Sequence, residues 1–462
     1  MRSGWMPPRS TAMTLAMPDA STIYALSSGH GRAGVAVVRV SGPAAGVCLD
    51  AVTTGRPTAR VAALRLIRDP KTKELLDQGL VLFFPAPKSE TGEEMAELHI
   101  HGGRAVIEGV LSALGKIDGC RLAEPGEFAR RAFENGKLDL TGAEGLADLV
   151  DAETAAQRRQ ALGQAGGRLY RLYEGWRRRL ITAMAILEAG IDFSDEPDVA
   201  AGTAAKAKAE VEALAKDIGA HLDDGRRGEV LREGFRVVLA GPPNVGKSSL
   251  MNALARRDVA IVSEEAGTTR DVIEVRLDLE GLPVVLSDTA GLRDNPGKIE
   301  QEGIRRTLKR AREADLILWI IDVTAPPASV PEELAAREER VWAIANKMDL
   351  LPQGILHPLP DGAIGISALT GHGVDLLTRK LTAAVRGRIG EGEAPALTQA
   401  RHRQALERTL APLRSFLGSP MTEPELRAED LRRAAQSLGR LTGAVDVEDV
   451  LGEIFGRFCV GK

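Results

Sequence analysis

The chain has 462 residues, of which 44% are hydrophobic, so it is long enough for two to four domains with sizeable cores. Its 60 Lys and Arg residues nearly balance 64 Asp and Glu residues, and the net charge of -4 excludes a strongly basic nucleic-acid coat. The three cysteines lie far apart without a C-x-x-C pair, which is typical of reduced thiols. No apolar run has the length of a membrane span. We therefore expect a cytoplasmic protein without a membrane anchor.

The N-terminal third predicts a leader followed by an α+β domain. Residues 1–20 mix prolines with polar residues and lack a continuous apolar stretch, so we interpret them as a disordered leader rather than a signal peptide. Over 21–139, short β-branched runs alternate with glycine turns and helix-compatible stretches. Residues 34–40 and 79–84 are predicted strands.

Helical periodicity begins near residue 140 and defines a first helical part over 140–230. Apolar side chains recur at spacings of three, four or seven, which predicts one buried helix face: Leu162, Leu169, Trp176, Leu180, Met184 and Leu187. Gly166-Gly167 is a predicted break, and Pro197 a predicted helix end. A further helix is expected from Thr203 to His221.

From residue 231 to 388, strands alternate with helices, the pattern of a doubly wound parallel sheet. A linker-like stretch at 391–395 precedes a second helical part, assigned to 389–462. The predicted fold is thus α/β and α+β multidomain, with the α/β domain inserted in a helical domain.

A phosphate-binding loop is predicted after the apolar strand at 235–240. Gly241 opens G-x-x-x-x-G-K-S, and a helix-compatible run follows. Such a loop turns its N–H groups onto phosphate oxygens, with a lysine for the β- and γ-phosphates and a serine for Mg²⁺. The predicted contacts are Asn244, Val245, Gly246, Lys247, Ser248 and Ser249. The alternative, a chance glycine turn, is disfavoured by the strand and helix on either side.

Three later motifs complete a predicted GTP site in the expected order. D-T-A-G comprises Asp288, Thr289, Ala290 and Gly291, where the aspartate serves the Mg²⁺ shell and the glycine N–H the γ-phosphate. N-K-M-D comprises Asn346, Lys347, Met348 and Asp349. The last carboxylate accepts hydrogen bonds from guanine N1 and N2, donors that adenine lacks, and the lysine packs over the base. Ser367 and Ala368 supply a backbone N–H to the guanine oxygen.

The catalytic surroundings are less usual. G-T-T-R-D at 267–271 is placed to close over Mg²⁺ and the γ-phosphate, through Thr268 and Thr269. Leu292 follows D-T-A-G where Ras-like enzymes carry a glutamine that orients water. Leucine cannot do this, so hydrolysis requires another group, a cation or a second subunit.

The whole chain resembles the MnmE (TrmE) family of tRNA modification GTPases. The resemblance is carried by V-R-V-S-G-P at 38–43, E-L-H-I-H-G-G at 97–103, A-E-P-G-E-F at 123–128, N-G-K-L-D-L at 135–140 and the terminal F-C-V-G-K. It implies an FAD-containing partner, MnmG (GidA), and modification of the wobble uridine of certain tRNAs at carbon 5. It also implies a one-carbon unit from a tetrahydrofolate derivative, 5-formyl or methylene, bound by Arg39, Glu97, Lys137 and Lys462.

The same resemblance implies a homodimer whose G domains pair around K⁺. The implied K⁺ positions are Asn244, Ser263, Glu265 and Thr268, and the cation would take the place of an arginine finger. Glu300 is implied to help orient water, against the alternative of an exposed carboxylate at a helix start. Cys459 is implied to act in the modification chemistry, against an inert buried thiol.

Two histidines, a series of arginines and the overall function each allow an alternative interpretation. His99 and His101 share one strand face without a nearby metal-ligand partner in sequence, which favours packing or hydrogen bonding. An arginine series in the first helical part is either a solvated helix face or a tRNA-backbone contact: Arg158, Arg159, Arg168, Arg171, Arg177, Arg178 and Arg179. The alternative function is a nucleotide-switched binding protein, such as a ribosome-assembly GTPase, which has no use for the folate motifs or the terminal F-C-V-G-K.

Overall fold

The computed structural model describes residues 21–29, 31–192, 197–256, 260–261, 274–288, 314–325, 340–351, 362–390, 395–420, 424–445 and 448–461. The chain forms two compact units, Met1–Ala143 with Asp446–Lys462, and Glu144–Val445. The expected leader and most of the expected linker at 391–395 lie outside the described residues. Within the described ranges, no helix is long and apolar enough to cross a membrane.

The first unit is built on a six-stranded sheet in the order β3-β4-β5-β2-β1-β6, antiparallel except for the parallel pair β1 and β6. Alternate residues of β2 and β5 fill the core beneath two helices. The strands predicted at 34–40 and 79–84 fall inside β2 and β4. The elements are β1 Thr22–Leu26, β2 Ala33–Ser41, α1 Ala45–Val52, β3 Ala63–Arg68, β4 Leu75–Phe84, β5 Met95–Gly102, α2 Arg104–Leu114, β6 Cys120–Leu122 and α3 Glu127–Glu134.

The C-terminal tail belongs to this first unit, not to the second helical part in which the sequence placed it. Its helix, α13 (Glu448–Phe455), brings the Phe455 ring to 6.3 Å from that of Phe133 on α3. Beyond it, Val460 forms a β-bridge with Pro125, and Ser27 Oγ donates to Gly461 O at 2.9 Å. These contacts span more than 300 positions of sequence, so local pattern could not predict them.

The helical part of the second unit has one core, drawn from both sides of the α/β sheet in sequence. Its elements are α4 Leu140–Val150, α5 Ala155–Ala165, α6 Arg168–Asp192, α7 Pro197–Leu222, α8 Arg227–Glu233, α11 Ala400–Gly418 and α12 Pro424–Thr442. Of the predicted apolar face, Leu169, Trp176, Leu180 and Leu187 are buried, but Leu162 is exposed.

Two local expectations for these helices had different outcomes. The predicted break at Gly166-Gly167 separates α5 from α6. Pro197 begins a helix rather than ending one, because proline lacks only an N–H that the first helical turn leaves unbonded anyway.

The remaining part carries a seven-stranded sheet in the order β13-β12-β11-β7-β10-β9-β8. The central strands are parallel, as predicted for a doubly wound sheet, and β9 pairs antiparallel with β10 and β8. The elements are β7 Phe235–Ala240, α9 Lys247–Ala255, β8 Ala260–Ile261, β9 Glu274–Leu279, β10 Leu282–Asp288, β11 Leu316–Asp322, β12 Val341–Asn346, a 3₁₀ turn Met348–Leu350, β13 Ile364–Gly365 and α10 Val374–Ile389.

Candidate nucleotide site

The phosphate loop joins the central strand β7 to helix α9, as the motif predicts. Three of its residues have positive φ: Gly241 at 143°, Asn244 at 59° and Gly246 at 96°. A Cβ on Gly241 would lie 2.3 Å from Ile320 O, and one on Gly246 would lie 2.3 Å from Asn346 Nδ2. Glycine is therefore required at both positions by backbone conformation and by close packing. The loop ends at the N-terminus of α9, where unbonded N–H groups favour an anion.

Lys247 is folded back into this loop and is almost fully buried. Its Nζ donates to Gly241 O at 2.9 Å and to Pro242 O at 2.8 Å. Burial lowers the pKa of Lys247, and the nearby Asp288 carboxylate opposes that shift only in part. The ammonium group is thus held inside the loop, where phosphate oxygens are better acceptors than the two carbonyls.

Two residues predicted to serve Mg²⁺, Ser248 on the first turn of α9 and Asp288 at the end of β10, meet in the structure. Strands β7 and β10 are parallel neighbours, and Asp288 is the last residue of β10. Ser248 Oγ donates to Asp288 Oδ2 at 2.8 Å. A hydroxyl and a carboxylate oxygen side by side are hard ligands of the kind that Mg²⁺ takes in nucleotide sites.

The base-recognition segments are tied together through Asn346, which the sequence analysis counted only as a nucleotide contact. Its Nδ2 donates to Val245 O at 2.8 Å, and its Oδ1 accepts from the Ala368 N–H at 3.0 Å. The side chain is buried, so both bonds are shielded from water. One amide therefore fixes the phosphate loop, the N-K-M-D segment and the Ser367-Ala368 turn relative to each other.

The other residues predicted to contact the base lie in the turns that Asn346 connects. Asp349 lies exposed in the 3₁₀ turn after β12, available to a ligand. Ser367 is fully buried, and its Oγ accepts from the Thr370 N–H at 3.1 Å, which shapes the turn. Sequence reasoning missed Asp322, whose carboxylate contacts Lys347 at 2.5 Å. The sequence feature that could have indicated its role is a carboxylate at the end of the otherwise apolar strand β11.

Several predicted site residues lie outside the described residues and stay predictions: Ser263, Glu265, Thr268, Thr269, Thr289, Ala290, Gly291, Leu292, Glu300 and Lys462. Ser249, on the first turn of α9, is exposed beside Ser248.

In the first unit, two of the residues expected to bind folate are in direct contact. Arg39 Nη2 lies 3.1 Å from Glu97 Oε1, and Arg39 Nη1 lies 3.0 Å from Glu90. They stand opposite each other on β2 and β5. Lys137 approaches the loop that carries Glu90: its Cε lies 3.3 Å from where a Cβ on Gly92 would be. The structure thus brings Arg39 and Glu97 together, and it places Lys137 beside Gly92 in the segment that follows Glu90.

The structure also shows the surroundings of Cys459, His99 and His101, for which the sequence left alternatives open. Cys459 is exposed, which excludes a buried thiol. His99 Nε2 lies 3.2 Å from Glu97, and His101 Nδ1 lies 2.8 Å from Asp77. Among the residues that the structure describes, no group of three His, Cys, Asp or Glu side chains could hold a metal.

Some arginines of this series form ion pairs with carboxylates of the same chain. Arg179 contacts Glu210 and Asp217, and Arg177 contacts Glu174. These pairs support the interpretation of a solvated helix face for that stretch.

A phosphate loop, a Ser–Asp hydrogen bond and an N-K-M-D segment at the carboxyl ends of neighbouring parallel strands define a P-loop GTPase, an enzyme that hydrolyses GTP. The family model of the MnmE helical domain matches residues 140–459, and that of the GTP-binding protein TrmE N-terminus matches 22–137. The tRNA modification GTPase MnmE of Parvibaculum lavamentivorans is 55% identical over 444 residues, covering 96% of this chain and 100% of the relative. The chain belongs to the MnmE family.

A further relative agrees with this assignment. The tRNA modification GTPase MnmE of Beijerinckia indica is 52% identical, over 96% of each chain. Among solved structures, the G domain of the T. maritima FeoB iron transporter is 25% identical and covers 32% of this chain and 97% of its own. Its TM-score of 0.23 is too low for that likeness to bear on the fold.

Proposed function

We propose that this GTPase drives modification of tRNA at carbon 5 of the wobble uridine, together with an FAD-containing MnmG-type partner. The observation that carries the proposal is that 96% of this chain aligns with relatives named as tRNA modification GTPases. The nucleotide site supplies the hydrolysis, and the charged region around Arg39 and Glu97 supplies a place for a tetrahydrofolate derivative, 5-formyl or methylene.

In the nucleotide site, each described residue has a distinct task. Lys247 would exchange its two carbonyl acceptors for β- and γ-phosphate oxygens and offset their charge. Ser248 and Asp288 would hold Mg²⁺, which supplies further charge neutralisation when bound. Asp349 would select guanine, while Asn346 keeps the base and phosphate segments in register.

We infer further that hydrolysis is completed by K⁺ and a second copy of the G domain. Asn244, exposed on the phosphate loop, is the described member of the expected K⁺ set. A cation beside the transferring phosphate would stabilise the charge that builds up there, as an arginine finger does elsewhere. GTP turnover is expected to rise strongly in KCl over NaCl, and equal rates would remove this part of the proposal.

In the first unit, the folate proposal rests on complementary chemistry. A pterin presents an amide-like edge that a carboxylate such as Glu97 can bind, and a glutamate tail that attracts Arg39 and Lys137. Cys459, exposed near the end of the tail, is proposed to take part in the modification chemistry. Its backbone carbonyl accepts from the Gly126 N–H at 3.5 Å, so the tail segment that carries it is tied to the start of α3.

The deciding experiment is nucleoside analysis of tRNA from cells that lack this gene. Loss of the modified wobble uridine is expected, with restoration by the wild-type gene and not by Lys247→Ala. The matched control is Lys206→Ala, on helix α7 away from the nucleotide site, which is expected to restore the modification. Unchanged wobble uridines would refute the proposal and return the chain to the alternative of a nucleotide-switched binding protein.

A further inference from the structure

Asp322 occupies a decisive position at the rim of the nucleotide site. It is the last residue of β11, and the parallel register places it directly beside Asn346, the last residue of β12. The other neighbour of β11 is β7, the strand that leads into the phosphate loop. The carboxylate therefore stands at the sheet edge between the phosphate loop and the N-K-M-D segment.

Both oxygens of the Asp322 carboxylate accept hydrogen bonds. Asp322 Oδ1 accepts from the Thr324 N–H at 2.9 Å and from Thr324 Oγ1 at 2.7 Å, which fixes the side chain against its own following turn. Oδ2 accepts from Lys347 Nζ at 2.5 Å. Burial raises the pKa of Asp322, but the bonds from Lys347 and Thr324 outweigh it and leave that pKa below its ordinary value.

Lys347 is constrained at both ends. Its backbone adopts φ of 70°, which is uncommon for a lysine, and the following Met348 N–H is fixed to Ile366 O at 3.1 Å. At the far end, the ammonium group is held by Asp322. A free lysine side chain would have to be ordered when a ligand packs on it, at a large cost in rotamer entropy.

We propose that Asp322 is a positioning residue for guanine nucleotides: it anchors the ammonium of Lys347 so that the lysine stem is already in place to cover the base. This inference rests on the proposed contact between Lys347 and guanine. It assigns to Asp322 a part of the nucleotide affinity without any contact to the nucleotide. Pre-organisation of this kind strengthens binding, because the lysine stem loses less rotamer entropy when the nucleotide binds. Affinity differences at one site appear mostly in the dissociation rate, so dissociation is the quantity to measure.

The direction of the change in nucleotide affinity on removal of Asp322 distinguishes a positioning role from simple charge repulsion. Asp322 is an anion near the binding site for another anion, so its removal should tighten nucleotide binding if only Coulomb repulsion mattered. Loss of positioning predicts the reverse. Because the Lys347 and Asp322 side chains are 30% and 15% exposed, solvent screens the pair and the expected loss is modest, roughly two- to fivefold in affinity.

The experiment is a double-mutant cycle on the full-length chain, with Asp322→Ala, Lys347→Ala and the double variant, read by dissociation of methylanthraniloyl-GDP. Asp322→Ala is expected to raise the dissociation rate and the KM for GTP roughly two- to fivefold, with little change in kcat. In the Lys347→Ala background, the same change should have almost no effect. Asp322→Asn, which keeps an acceptor for the ammonium, should fall between wild type and Asp322→Ala.

The control is Glu280→Gln, which removes another carboxylate of this sheet region whose ion pair with Arg386 is solvent-exposed, and it should match wild type. Slower or unchanged dissociation in Asp322→Ala, or an equal effect in both backgrounds, would overturn the inference. Failure of the underlying site looks different, because wild type would then not bind the fluorescent nucleotide or Lys347→Ala would be silent. If Asp322→Ala does not fold, the comparison of Asp322→Asn in the two backgrounds decides.

Discussion

Replacing Glu144 by glutamine should destabilise the helical part of the second unit by about 3 kcal/mol near neutral pH. Both carboxylate oxygens are engaged: Oε1 accepts from Arg401 Nε at 2.9 Å, and Oε2 contacts Arg401 Nη2 at 3.0 Å and His402 Nε2 at 2.6 Å. The side chain is only 7% exposed. Burial raises the pKa of Glu144, but the attraction of His402 and Arg401 outweighs it and lowers the pKa from 4.5 to about 2.

The magnitude follows from linkage between protonation and folding. At ~1.4 kcal/mol per pH unit, a pKa of about 2 in the fold against 4.5 in the unfolded chain corresponds to about 3 kcal/mol. Because the folded pKa is the lower one, this stabilisation is complete above pH 4.5 and is lost as the pH falls toward 2. Removal of one partner of a buried ion pair costs a similar amount, ~3–5 kcal/mol, in other proteins.

Hydrogen exchange of the α11 amides (Ala400–Gly418) measures this local stability without requiring the whole chain to unfold in one step. Glu144→Gln should accelerate their exchange by about two orders of magnitude at pH 7, and the difference should narrow below pH 4.5. The matched control is Glu188→Gln, since Glu188 pairs with Arg432 at an exposed site and should change exchange only slightly. An acceleration below tenfold, or one equal to the control, would refute the argument.

Three further changes test single contacts. Gly246→Ala forces a Cβ toward Asn346 at a φ of 96°, so nucleotide affinity should fall at least tenfold by fluorescence titration, and near-normal affinity would contradict the geometry. Asp349→Asn should move preference from GTP toward xanthosine triphosphate, whose ring carries a carbonyl where guanine has its 2-amino donor; turnover of both nucleotides measures it, and unchanged selectivity would remove Asp349 from base recognition. Gly461→Ala places a Cβ 2.2 Å from a β1 carbonyl at a φ of 98°, so trypsin should cleave after Arg457 faster than in wild type, whereas equal cleavage would show that the tail is held by other contacts.

The nucleotide site was largely predictable because its motifs are local. Each is a strand end followed by a short turn, so the residue types and their spacing carry the geometry within a few positions. Gly241, Gly246, Lys247 and Ser248 stand in the structure where the motif requires them. The mixed α/β class also followed from the alternation of strands and helices, which reflects burial on one or both faces.

The limits of local pattern are equally specific. A proline such as Pro197 is favourable both after the end of one helix and at the start of the next, so local pattern does not show that it begins α7. Leu162 shares the spacing of a buried face, yet it lies exposed on α5, because spacing alone does not show which residues of a helix are packed against other elements. The tail after residue 445 was assigned to the helical part, since its own sequence does not reveal that it packs with the first unit.

Short contiguous motifs are enough to predict the chemistry of this protein, namely the binding of GTP, the selection of guanine and membership of the MnmE family. The contacts between residues far apart in sequence become visible only in the folded chain. Asp322 meets Lys347 across 25 positions, Glu144 meets Arg401 across 257, and Ser27 meets Gly461 across 434. The physical reason is that strand register and core packing select these partners, and neither is contained in any local stretch of the chain.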